Sequence, residues 1–252
     1  MKILSLGWGV QSFTLAALVA LGELDPVDYA VHSDTGFESS LTYEFAKKWT
    51  PWLGEHGVKV ITVHKKELTR GLEFYLPAFI NKNNTMGGQG QRQCTSDWKV
   101  YPVHRWISTE LKRRGLKKSE GIIEQWLGIS TDEWCRAKPA RVKYIKNRWP
   151  LLELGMSRSD CKKWLLDHDL EIPSKSSCVF CPYHSKAGWQ QVKSVEIDWM
   201  QAVEVDRAIR NAQPPLELFL HTSHTPLEDV DLRTPEEQGQ MHFIEVCESC
   251  WI

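Results

Sequence analysis

The first 36 residues constrain this chain most: an apolar strand, a glycine loop ending in Ser12, a helix, a second strand, then Asp34-Thr35-Gly36. Residues 1–6 are a short apolar run of strand type, and Gly7-Trp8-Gly9-Val10-Gln11-Ser12 follows directly. Residues 12–21 (SFTLAALVAL) have the make-up of a mostly buried helix, and 29–33 that of the next strand. Two glycines between strand and helix let backbone N–H groups turn toward an anion. The helix dipole and the unpaired donors of the first turn favour phosphate there. Asp34 ends the second strand, where ligands bind in open α/β sheets. The bland alternative is an ordinary strand–turn–helix whose glycines serve only the turn.

At 252 residues the chain can hold one large α/β domain and a smaller appended region. Strands are expected at 2–6, 29–33, 58–63 and 122–129, and helices at 12–21, 39–54 and 97–114. Their alternation implies an α/β fold, a doubly wound, mostly parallel sheet covered on both faces. Residues 81–93 (NKNNTMGGQGQRQ) interrupt it as either a lid or a solvated connection. Beyond residue 130 the character changes. Residues 136–148 are dense in cations, and Ser157-Arg158-Ser159-Asp160 opens a helix to about residue 168 with a capping box. Residues 173–182 read as non-helical, 185–195 and 198–211 as helices, and the remainder from 214 as irregular.

No apolar run approaches the roughly 18 residues that a membrane helix needs. The chain enters a strand at once without a basic-then-apolar leader, so a cytoplasmic location is expected. The net charge of -1 hides an asymmetry. Residues 82–148 carry 15 Lys or Arg against six acids, and residues 196–248 carry 12 acids against three bases. A basic middle suits a nucleotide or a nucleic acid, with a merely solvated face as the alternative. Most of the 12 tryptophans should pack in the core, whereas Trp8 in the glycine loop is placed to lie against a ligand.

Seven cysteines in a cytoplasmic chain point to metal or catalysis before disulfides. Cys178-Val179-Phe180-Cys181 and Cys247-Glu248-Ser249-Cys250 have the C-x-x-C spacing of metal-ligand or redox pairs. Cys94 follows a polar, glycine-rich stretch where its thiolate would be accessible. Cys135 and Cys161 lie in helix-like stretches and read as buried structural thiols. Three or four thiolates from separated segments suit an iron–sulfur cluster, tetrahedral zinc or free redox thiols.

The loop Gly7–Ser12, Asp34-Thr35-Gly36, and Gln93-Cys94-Thr95-Ser96-Asp97-Trp98-Lys99-Val100-Tyr101-Pro102 together resemble the phosphoadenosine phosphosulfate (PAPS) reductase family. That family belongs to the PP-loop, or adenine nucleotide α-hydrolase-like, superfamily. Gly128-Ile129-Ser130, Glu133, Arg136 and the cysteine pair extend the likeness over most of the chain, which is most similar to a bacterial and phage group. The superfamily loop is usually S-G-G-x-D-S; here Gly7 stands for the leading Ser, Trp8 for the first Gly and Gln11 for the Asp. The E-C-G-x-H segment that carries the reductases' nucleophile is missing, and Glu245-Val246-Cys247-Glu248-Ser249-Cys250 stands in its place.

The resemblance implies a Rossmann-like nucleotide-binding domain over 1–150 and a helical, cysteine-bearing region over 151–252 that completes a metal or cluster site. It implies an adenine nucleotide, ATP or PAPS-like, held by Gly7, Gly9, Gln11, Ser12, Asp34, Thr35, Gly36, Gly128, Arg136 and Arg141, with Mg2+ as a companion ion. Cys94, Asp34 and Lys99 are the expected catalytic residues. Cys94, Cys178, Cys181 and Cys250 are the expected metal ligands, with Cys247 or an open iron as alternatives to Cys250. Gln93 occupies the first place of the Cys-Cys pair with which adenylylsulfate reductases bind a [4Fe-4S] cluster. The implied activity is adenylation-linked sulfur transfer to a nucleobase or small molecule beside a [4Fe-4S] cluster. Such an enzyme needs a sulfur or electron donor, and tRNA, DNA or a nucleoside would be its substrate. A true PAPS or adenylylsulfate reductase, and a Zn2+-stabilised nucleotide-binding module without catalysis, are the competing expectations; a homodimer is open.

Overall fold

A computed structural model of the chain describes residues 1–65, 67–82 and 85–233. Its elements in chain order are β1 (Lys2–Ser5), α1 (Val10–Ala20), β2 (Tyr29–Asp34), α2 (Ser40–Glu55), β3 (Val60–His64), β4 (Phe79–Lys82) and β5 (Thr85–Gln89). There follow α3 (Tyr101–Arg113), β6 (Ile123–Leu127), β7 (Ile145–Arg148), α4 (Pro150–Glu153), α5 (Arg158–Asp167), α6 (Lys186–Lys193), α7 (Glu196–Ile209) and β8 (Leu216–Phe219). Five strands form one sheet in the order β3-β2-β1-β6-β7, every neighbouring pair parallel.

Side chains alternate across that sheet, so each strand feeds two cores. Ile3, Tyr29, Val31, Ile123 and Ile145 face one side, against Val103, Ile107 and Leu111 of α3. Leu4, Ala30 and Trp126 face the other, against α1, α2 and α5. α1 is buried nearly all round, which explains why its sequence shows no polar face. The fold is therefore α/β, with helices on both faces of a parallel sheet.

α5 starts at Ser157 with the expected capping box: Ser157 Oγ accepts from the Asp160 N–H, and the Asp160 carboxylate accepts from the Ser157 N–H. Two expectations of secondary structure need correction. Residues 81–93 are not simply a loop, since they hold the end of β4 and all of β5, which pair antiparallel. The run from 214 is not irregular throughout, because β8 pairs antiparallel with β4 and completes a second sheet, β5-β4-β8. Within the cation-dense 136–148 stretch, β7 is the fifth strand of the main sheet. Of the two cysteines expected to be buried, Cys161 is and Cys135 is exposed.

A third core joins the second sheet to α6, α7 and the Cys178–Cys181 segment through Val179, Phe180, Trp189, Val203 and Leu218. Two buried aspartates brace it. Asp198 accepts from Ser39 Oγ and the Ser40 N–H, so α7 caps the start of α2. Asp206 accepts from the Leu220 and Leu227 N–H groups, each at 2.9 Å, and from Arg210. Among the described residues no helix is long and apolar enough to cross a membrane.

Asp206→Ala would strip two buried amides of their acceptor and leave Arg210 without its carboxylate. The expected cost is about 3–5 kcal/mol in urea unfolding, the scale of a broken buried ion pair. A loss under about 1 kcal/mol would show the Asp206 network to be dispensable.

Candidate nucleotide and thiol site

Strand order reverses direction at β1, whose neighbours are β2 and β6, and such switch points open a crevice at the carboxyl ends of the strands. A cavity of about 380 Å³ lies there. Its walls are Ser5, Leu6 and Gly7 after β1, His32 and Ser33 of β2, and Gln125, Leu127 and Gly128 at the end of β6. Ser12, Glu38, Lys99, His104 and Arg136 complete it.

The glycine loop is held by its own hydroxyl. Ser12 Oγ accepts from the Gly7 N–H at 3.1 Å and donates to the Gly9 carbonyl at 3.2 Å. α1 has no side-chain cap at Gly9, so its first amides keep their donors for a ligand. Gly128 is required by close approach, because a Cβ there would stand 2.8 Å from the Ser12 nitrogen. Trp8 does not face the cavity, contrary to expectation. It is 2% exposed and packs against Phe13, His32 and Phe45.

Not every expected nucleotide residue reaches the cavity. Gln11 is buried and works as a strut: its amide nitrogen donates to Ser130 Oγ and Glu133, and its oxygen accepts from Arg158. Glu133 in turn pairs with Arg136 at 2.7 Å, so Gln11 acts on the cavity wall indirectly. Asp34 accepts from the Gly36 N–H and the Tyr43 hydroxyl, each at 2.7 Å, and lies 3.2 Å from His64 Nδ1. That last contact follows from register, since Asp34 and His64 are partners across β2 and β3. Burial works against charge on Asp34, but the two donors hold its carboxyl below the usual range. Gly36 takes a left-handed φ of 73°, where glycine avoids strain. Arg141 is exposed and lines no part of the cavity.

Behind the glycine loop a second cavity, of about 100 Å³, is lined by Cys94, Cys178 and Cys181 with Arg92, Lys99, Ser176 and Ser177. All three thiols are free. The Cys94 N–H donates to the Tyr75 carbonyl at 3.0 Å. The Cys178 segment is strapped to the chain after β2 by a Glu38–Cys178 bridge and by the Val179 N–H donating to the Phe37 carbonyl at 2.9 Å. It also leans on the glycine loop, since a Cβ on Gly9 would meet Ser176 Oγ at 2.8 Å.

Lys99 stands in the wall of both cavities. It projects from a π-helical turn, Thr95–Val100, that leads into α3 and was expected as ordinary helix. Such turns recur where a side chain must be redirected for function. Lys99 Nζ lies 3.1 Å from Glu38 Oε1, and Glu38 is 4% exposed. Burial opposes the charge on Lys99, but the Glu38 carboxylate outweighs it and raises its pKa. Thr35 is also buried: its hydroxyl donates to Glu38 Oε1 at 3.2 Å and lies 3.4 Å from Cys178 Sγ. One short chain of contacts thus runs from the larger cavity to a thiol. Burial and then the Glu38 charge push the Cys178 thiol up to about 12, so it holds its proton at neutral pH unless a metal replaces it. Burial raises Cys94 too, against the pull of Arg92.

Among the described residues no three Cys, His, Asp or Glu side chains are grouped as one metal ion requires. Cys250 and Cys247 lie outside the described residues. Sequence reasoning missed Glu38, His32 and Ser176. His32 carried a signal, being a polar residue inside an apolar strand. It is buried with Nδ1 3.0 Å from the Leu6 carbonyl, which places the proton on Nδ1, and burial lowers its pKa.

No protein family and no curated protein matches the chain. Among solved structures it is similar to a phosphoadenylyl-sulfate (PAPS) reductase from Candida auris in its phosphate complex. That match has 12% identity and a TM-score of 0.43 over 68% of this chain and 74% of the other. The chain is also similar to the U34-tRNA thiolase NcsA from Methanococcus maripaludis with its [4Fe-4S] cluster. There the identity is 13% and the TM-score 0.42, over 92% of this chain and 74% of the other.

The two close-packed glycines should respond differently to alanine. Gly128→Ala presses on backbone atoms of Ser12 and Gln11, and should cost about 1–3 kcal/mol in thermal unfolding. Gly9→Ala meets only the Ser176 hydroxyl, which can rotate, and should cost under about 1 kcal/mol. Equal costs would contradict this packing.

Proposed function

We propose that this chain binds an adenine nucleotide in the cavity at the glycine loop and uses it in sulfur chemistry at the three thiols behind. The observation that carries this is Lys99, which stands in both cavity walls and pairs with the carboxylate joined through Thr35 to Cys178. Amides at the start of α1 and the side chains of Ser12, Lys99 and Arg136 would hold phosphate oxygens. His32, with its proton turned to the Leu6 carbonyl, offers the cavity an acceptor nitrogen. Asp34, engaged with Gly36, Tyr43 and His64, would shape the chain after β2 rather than grip the nucleotide.

The donor chemistry is that of an iron–sulfur cluster, with zinc as the second reading. Three free thiols line one cavity, a sulfur donor set of the kind a cluster takes. Cys94, Cys178 and Cys181 would hold it, and when bound it would supply electrons or an iron able to carry sulfur. The small cavity, roofed by Arg92 and Lys99, would exclude bulk water while Lys99 offsets negative charge arising between nucleotide and thiols. ATP-dependent sulfur transfer is the leading reaction and PAPS reduction the second; the phosphate cavity serves either substrate.

Titration calorimetry on anaerobically purified protein should detect ATP or PAPS. Lys99→Met and Ser12→Ala should each weaken binding about 10- to 100-fold, as expected for lost contacts to charged phosphate. Pyrophosphate release from ATP against sulfite release from PAPS then separates the two reactions. If neither nucleotide binds at millimolar concentration, the proposal fails.

Cys178→Ser should lose most of the iron, measured by metal analysis, while keeping ATP affinity within about twofold of the parent protein. Full iron retention would remove Cys178 from the ligand set.

A further inference from the structure

The connection from β6 to β7 is unusual for a parallel sheet because it contains no α-helix. It leaves the nucleotide cavity through a short turn, Thr131–Arg136, then runs without regular structure through a bend at 141–142 and a turn at 143–144 to β7 at the sheet's edge. Ala140, Val142 and Tyr144 face inward, packed on the core under α3. Arg141 and Lys143 alternate with them and are exposed, as are Lys138 before them and Lys146 after. Among the described residues none of these four cations forms an ion pair. The four cations thus follow one another along an exposed stretch of chain.

The row begins at the site. Arg136 lines the nucleotide cavity, and Trp134, two residues earlier in the same turn, is 70% exposed. Farther along, the Tyr144 ring lies 6.3 Å from His104, another cavity residue, and Lys118 Nζ sits 4.6 Å over the same tyrosine. A large aromatic ring left in solvent at the start of a cationic row, beside a phosphate cavity, matches what an unpaired strand requires. Aromatic faces stack its bases and spaced cations follow its phosphates.

We infer that residues 134–146 form a track for a single-stranded polynucleotide, with Trp134 stacking a base at the mouth of the nucleotide cavity. This rests on the function proposed above and names its substrate class. Arg141, which does not reach the nucleotide cavity, belongs to this track instead. An acidic protein segment would use the cations but not the exposed ring, so the two partners make different demands on Trp134.

The test is fluorescence anisotropy with a labelled 20-nucleotide oligouridylate, its deoxy counterpart and a polyglutamate chain of equal length. The nucleic acid strands should bind at least about tenfold more tightly than polyglutamate, and the slope of log affinity against log salt should be steep. The double variant Arg141→Glu, Lys143→Glu should weaken strand binding at least about tenfold and reduce that slope by about 1.4, two phosphate contacts' worth. Trp134→Ala should weaken binding about fivefold or more with the slope unchanged. ATP affinity should stay the same in both variants. Strand binding unaffected by these substitutions, or polyglutamate bound as tightly as nucleic acid, overturns the inference even where ATP binds. Failure of ATP binding with strand binding intact would instead remove the nucleotide proposal and leave the track.

Discussion

Glu38 is a carboxylate almost wholly withdrawn from water, and Lys99 is the charge that makes its burial tolerable. An unpaired buried carboxylate costs several kcal/mol, so the pair holds its parts together strongly. Those parts come from three places: the chain after β2, the π-helical turn before α3, and the cysteine segment bridged to Glu38 through its backbone. Only one oxygen of Glu38 is used; Oε2 is buried without a partner among the described residues. A buried acceptor left open beside a cavity marks a place where selection has favoured something other than stability.

Much of this architecture was legible in the sequence because its signals are local. The β1–loop–α1–β2 unit shows its period and its glycines within 34 residues, and Ser157-x-x-Asp160 states the start of α5 outright. The three thiols could be brought together by likeness to a family, though not by spacing. What stayed hidden depends on partners far along the chain. β4 and β8 are recognisable only once paired, since 137 residues separate Phe79 from the start of β8 and neither strand has a clean alternation. β7 was concealed by its charge. An edge strand needs only one buried residue in four, here Ile145, and its other positions are free to carry cations.

The expected site residues divide in the same way. Gly7, Ser12, Gly128, Lys99 and Arg136 line the cavity because strand ends and helix starts place them there. Gln11, Asp34 and Thr35 belong to the same segments but face inward or along the chain, toward Arg158, Tyr43 and Cys178. Motif position gives the segment; the direction of each side chain follows from burial and hydrogen bonding that a motif does not encode.

Trp8 and Gln11, the two bulky residues of the glycine loop, acquire a physical account in this arrangement. Trp8 takes a φ of 56°, a left-handed conformation in which glycine would be free of strain. A bulky residue there costs about 1–2 kcal/mol, an amount that burying an indole more than offsets. The indole wedges between Phe13 of α1, Phe45 of α2 and His32 of β2 and fixes the loop to both helices at once. Gln11 does the same on the opposite flank, tying α1 to the turn that carries Arg136 and to α5. A glycine-rich loop gains adaptability from its freedom; this one has exchanged part of that freedom for anchors on two sides. Its amides are therefore held in place by packing, and on the function proposed above less ordering would remain to oppose an anion.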